Sequence, residues 1–107
     1  MNIEEISLQI IASVGAARSS YIEAINEAKE GNFDEAENKM KEGRKLFSKG
    51  HEAHFSLVTQ EADKSKDSVN LNLILVHAED QLMSAEGFGI LAEHFIDLYK
   101  IIYEKLK

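Results

Sequence analysis

Cysteine, proline and tryptophan are absent from this 107-residue chain, and the absences exclude a good deal. Without cysteine there is no disulfide framework, no thiol nucleophile and no thiolate zinc site. Without proline, and with only six scattered glycines, the chain lacks the punctuation of a turn-rich β fold, which favours helices. A basic excess is missing too. Twelve Lys and Arg stand against 19 Asp and Glu, and the net charge of −7 argues against nucleic acid or an anionic membrane as the main partner. No apolar run approaches the length that spans a bilayer, so no membrane insertion is expected. The start, "MNIEEISLQI", has neither the basic residues nor the long apolar run of a secretory leader, and a soluble cytoplasmic protein is the expectation.

What is present is a helical pattern. Hydrophobic residues make up 44%, enough for a core, and the length suits one domain over residues 1–107. From Ile3 to Ala28, Ile6, Ile10, Val14, Ala17, Tyr21, Ile25 and Ala28 recur at helical spacing. "EGNFDEA" breaks that helix, with Gly31 suited to a left-handed C-cap and Asn32 or Asp34 to capping the next one. Phe33, Ala36, Met40, Phe47, His54 and Val58 continue a stripe to about Ala62, and Gly43 and Gly50 weaken its interior without ending it. "DKSKDSVN" reads as the second connection. The spacing therefore predicts helices over about 3–30, 33–63 and 68–105, an all-α antiparallel three-helix bundle. The Gly-Asn-Phe-x-x-Ala turn of "AKEGNFDEAENKM" also occurs in tetratricopeptide-like hairpins, but those recur at a period of about 34 residues. This one occurs once.

The third helix holds the chemical question. In "LILVHAEDQLM" (73–83) an ionisable pair, His77 and Asp80, interrupts one of the most apolar runs. At about 100° per residue, Leu71, Ile74, Leu75, Ala78, Leu82 and Ala85 face one side, and Val76 and Met83 roughly the opposite one. His77, Asp80, Gln81 and Ser84 form a polar stripe between them, with Leu73 set into it. A small bundle needs one buried side per helix, so apolar residues on two sides point to packing against another subunit. His77 and Asp80 share a face; a histidine held by a carboxylate is the simplest reading of such a pair. The pair supplies too few ligands for a metal within one chain. His51 and His54 form a second i, i+3 pair, and His94 stands alone. No Gly-x-Ser-x-Gly elbow, P-loop or His-Glu-x-x-His sequence is present. His77 is left as the candidate nucleophile, since imidazole can take up and pass on a phosphoryl group.

Over nearly its whole length the chain resembles the enzyme IIA component of lactose- and cellobiose-type sugar phosphotransferase systems. The resemblance is carried by "GAARS" (15–19) with "EGNFDEAE", by "GHEAHFSLVTQEA" (50–62), and above all by "LVHAEDQLM" (75–83). It implies a three-helix protomer assembling into a nine-helix homotrimer. It implies that His77 takes phosphate from the phosphohistidine carrier protein and passes it to a cysteine of the IIB component during uptake of a β-linked disaccharide. It also implies that Asp80 from three subunits meets around a metal ion. Three carboxylates at an axis would repel, and a hard divalent cation with oxygen ligands, Mg²⁺ first, relieves this. Gln81 and Ser84 are then candidates to hold the ring or the phosphate. His51 matches a histidine of the family's Ala-His-x-x-Gln stretch, and His54 stands where Gln is usual. Glu79 and Gln81 replace the more familiar Gln and His. Glu86, Gly87 and Gly89 stand where the family is apolar; Gly87 falls on the Asp80 side, where it permits closer helix approach. Two rival readings remain: a helical adaptor without chemistry, and a histidine phosphotransfer domain of two-component signalling. The second typically needs a basic residue three positions after the histidine, and Asp80 has the wrong sign.

Overall fold

Local chemistry starts and stops each helix. The Asn2 side chain accepts the Glu5 N–H at 2.8 Å, capping α1 (Ile3–Lys29). Gly31, at φ +83°, ends it in a Schellman turn: the Asn32 N–H donates to the Glu27 carbonyl and the Gly31 N–H to that of Ala28. Asn32 occupies the N-cap position of α2 (Phe33–Ala62) but makes no side-chain cap. Its amide turns back instead and donates to Glu27 Oε2 at 3.0 Å. Past the end of α2, the Asp63 carboxylate accepts from both the backbone N–H and the hydroxyl of Ser65, which holds its pKa below the usual aspartate value. Asn72 then caps α3 (Leu73–Lys105) by accepting the Leu75 N–H at 2.8 Å. The third helix therefore begins at Leu73 rather than at about Ser68, because the cap decides where it can start.

The computed structural model describes residues 2–107, an all-helical bundle 61 × 20 × 19 Å, with no strand among the described residues. Cross-helix neighbours give its topology. Gly50 meets Val14 and Gly43 meets Tyr21, so α1 and α2 are antiparallel. Arg44 pairs with Glu93 and His54 with Glu79, so α2 and α3 are antiparallel as well. Arg18 reaches Ser84 and the Tyr103 hydroxyl donates to the Lys29 carbonyl, so α1 and α3 run parallel.

Two buried clusters fill the bundle. Ala17, Tyr21, Ala24, Met40, Ala92 and Ile96 form one; Ile10, Val14, Leu57, Leu75, Leu82 and Ala85 belong to the other. Leu71 and Ile74, expected on the packed side, are not in it: Leu71 precedes the helix and is 81% exposed, and Ile74 lies at the edge. On α2 the register buries Leu57 and exposes Val58. Gly43 and Gly50 are close-approach positions rather than weak points. A Cβ at Gly43 would lie 2.5 Å from Tyr21 Cε1, and one at Gly50 2.5 Å from Val14 Cγ1. Gly89 on α3 faces the opposite edge of the same ring, where an added Cβ would lie 2.9 Å from Cε2. Tyr21 is thus sandwiched between two glycines, and its burial pushes the phenol pKa up. Gly43→Ala overpacks this site and is expected to cost about 1–3 kcal/mol. Thermal melts at matched concentration should show a fall of roughly 4–8 °C for each kcal/mol.

Candidate functional site

α3 presents the candidate residues on its uncovered side. His77 and Asp80 are both exposed, Gln81 and Ser84 half-buried. No ion pair joins His77 to Asp80, so the reading of a histidine held by its neighbouring carboxylate does not describe the protomer. His77 is exposed, with Gln81 one turn on and Ser84 two turns on along the same strip.

The two α2 histidines part company. His54, half-buried, approaches Glu79 with Nε2 2.6 Å from Oε1. The contact fastens α2 to the second turn of α3, two residues from His77, and carries full charge only when the imidazole is protonated. An ion pair this open contributes at most about 1 kcal/mol, so its value is positional. His51 is exposed and tilted against Phe47, ring centroids 6.0 Å apart. The two do not converge on one ligand. Among the described residues, no group of three or more His, Asp or Glu gathers in one chain to hold a metal ion.

Arg18 is the residue that sequence reasoning passed over, although it stands in "GAARS". Its Nη1 donates to Ser84 Oγ at 3.4 Å, and its guanidinium lies 5.9 Å from the Phe88 ring centroid. Arg44, the other arginine, is bound to two carboxylates, Glu37 and Glu93. Arg18 has none within ion-pair distance among the described residues, so it brings positive charge to the Ser84 end of the strip. Two arginines in so acidic a chain were the available signal.

The outer side of α3 has a long repeat. Leu73, Asp80, Gly87, His94 and Ile101 are spaced by seven and all exposed, and Val76, Met83 and Ile90 flank them at the same spacing. Leu73 is 84% exposed and Met83 71%. Seven-residue spacing keeps these residues along one face of the helix, the spacing that left-handed coiled coils use.

Comparison with known proteins gives the fold a family. Residues 5–100 match the family described as the lactose/cellobiose-specific IIA subunit of the PTS system. The chain is 37% identical over 103 residues to the lactose-specific EIIA component of Staphylococcus epidermidis, covering 94% of this chain and 97% of that protein. It is similar to the crystal structure of the cellobiose-specific enzyme IIA of Bacillus anthracis, with TM-score 0.90, 34% identity, and coverage of 98% and 95%. It is also similar to the chitobiose-specific IIA of Escherichia coli, solved in solution in complex with HPr, with TM-score 0.81, 28% identity, and coverage of 96% and 98%. This chain belongs to the lactose/cellobiose-specific IIA family, and is a sugar-specific component of a phosphotransferase system. Among the described residues, no helix is long and apolar enough to cross a membrane.

Proposed function

We propose that the chain is a cytoplasmic phosphoryl carrier that works through His77. The phosphoryl group leaves an imidazole nitrogen of the carrier protein HPr and bonds to a ring nitrogen of His77; one P–N bond breaks as the other forms. It then passes to the cysteine thiolate of the cognate IIB component, regenerating free His77. The chemistry needs little from the protein beyond an accessible, oriented imidazole, because a phosphohistidine is itself reactive. The exposed His77 supplies the access. Gln81 and Ser84, held on the next turns, are placed to steady the ring or the phosphate, with Arg18 behind Ser84 adding positive charge. His54 holds α3 through Glu79, while His51 stays exposed beside Phe47 on α2 and takes no part. The substrate class is a β-linked disaccharide, the chemistry shared by the relatives' lactose, cellobiose and chitobiose. The solution complex of the chitobiose-specific relative with HPr carries this reading, since a fold this similar meets a donor there.

The functional unit in this reading is a homotrimer with the α3 seams at its centre. The exposed apolar stripe supports it, being costly to leave in water. Asp80 lies on that stripe, and its carboxylates from three subunits offer the hard oxygen donors that suit Mg²⁺. A bound ion would offset most of their charge; no step of the phosphotransfer runs through it.

The test is to incubate the purified chain with phosphoenolpyruvate, enzyme I and HPr and to map any acid-labile phosphate. Labelling that requires HPr, on His77, is the expected result. Labelling by a sensor kinase instead would favour two-component signalling, and none from either donor would leave an adaptor.

A further inference from the structure

Two glycines sit close together on α3, and the protomer accounts for only one. Gly89 makes room for the Tyr21 ring, whereas a Cβ at Gly87 would meet nothing within 4 Å. Gly87 is the midpoint of the outer repeat, seven residues after Asp80 and seven before His94. The histidine itself is exposed beside large apolar residues, Leu91 and Ile90 one turn before it and Leu98 and Ile101 on the turns after it, with Asp97 its acidic neighbour one turn on. In an assembled seam an imidazole among such neighbours is costly unless its polar nitrogens find partners.

We infer that the three His94 side chains of the assembled trimer form a second metal site on its axis, taking a borderline divalent transition metal such as Zn²⁺. The inference rests on the trimer proposed above. At 1.5 Å per residue the His94 layer lies about 21 Å along the axis from that of Asp80, too far for the two to share an ion. Side chains on a helix lean toward its N-terminus, so the His94 rings project toward the Gly87 layer. The missing side chains at Gly87 leave that part of the axis open for a water. Three imidazole nitrogens and one water complete the four-coordinate arrangement that Zn²⁺ accepts, at about 2.0–2.1 Å per Zn–N bond. The donor sets separate the metals: carboxylate oxygens at Asp80 select a hard ion, imidazoles at His94 a borderline one.

The experiment uses untagged full-length protein stripped of metal and then held in excess Mg²⁺, so that the Asp80 layer is supplied. Calorimetric titration with Zn²⁺ should give one ion per three chains. Substitution of Co²⁺ should give the intense visible absorption of a four-coordinate nitrogen site. His94→Gln should weaken Zn²⁺ binding at least about tenfold, or 1.4 kcal/mol. It should leave the trimer mass and His77 phosphorylation unchanged, and His51→Gln should leave Zn²⁺ binding intact. A trimeric parent that binds no Zn²⁺, a His94→Gln variant that binds it like the parent, or a faint six-coordinate Co²⁺ spectrum would overturn the site and leave the trimer standing. A parent that sediments as a monomer at micromolar concentration would overturn both. Should His94→Gln fail to assemble, the Co²⁺ spectrum of the parent still decides the ligand set.

Discussion

His77→Ala accepts no phosphoryl group from HPr under conditions that label the parent chain fully. The loss is complete rather than partial because nothing else can stand in. The chain has no cysteine to receive phosphate as phosphocysteine, and His51, His54 and His94 lie on other elements or other turns. His54 is moreover engaged by Glu79. Because His77 is exposed, its removal should change stability by no more than about 0.5 kcal/mol, so the variant remains a folded control. Melting curves together with a phosphate map check both halves of the expectation. Labelling of the variant at the parent's level would refute the phosphoryl-carrier reading of His77. Unfolding of the variant would instead mark His77 as a structural residue, in line with an adaptor.

Asp80→Leu is expected to keep or strengthen the trimer and to erase its dependence on divalent metal. Two unit charges about 4 Å apart repel by about 4 kcal/mol at the effective dielectric of a protein surface, and a three-fold axis brings three such pairs together. A cation relieves the repulsion in the parent, and leucine removes it altogether while joining the apolar neighbours Val76 and Met83. An ion bound only by the assembled state stabilises it by about 2.7 kcal/mol at a hundred times its dissociation constant. Chelation should therefore lower the parent's melting temperature and leave that of Asp80→Leu where it was. Sedimentation should give three times the 12.0 kDa chain mass for both proteins in Mg²⁺. Phosphorylation of His77 persists in the variant, because Asp80 stands one turn away and makes no ion pair with it in the protomer. A chelator that moves neither melting curve, with Asp80→Leu identical to the parent, would return Asp80 to a plain surface carboxylate.

Residues within one helical turn of each other determined much of this protein. The stripe of Ile10, Val14, Ala17, Tyr21 and Ala28 is buried as its spacing requires, and Gly31 takes the left-handed turn that a residue without Cβ adopts freely. The exposure of Val76 and Met83 on a second side of α3 follows from the same periodicity. His77 and Asp80 stood out because polar residues interrupted an apolar run. The start of α3 was not legible in the periodicity: Asn72 rather than Ser68 starts it, since its side chain reaches the Leu75 N–H. Pairing between distant segments could not be read along the chain. Glu79 meets His54 only because α2 and α3 run antiparallel at that height, and Arg18 finds Ser84 only because α1 and α3 run parallel. Leu57 rather than Val58 is buried because the crossing of whole helices, not one stripe, sets the final rotation of α2. Gly87 and Gly89 look alike in sequence, two residues that loosen a helix. Packing tells them apart, because the Tyr21 ring fills the space beside Gly89 and nothing in the protomer fills the space beside Gly87. Spacing sets which way a side chain faces along its own helix; what it meets there depends on groups brought together from far along the chain, and that only the tertiary structure decided.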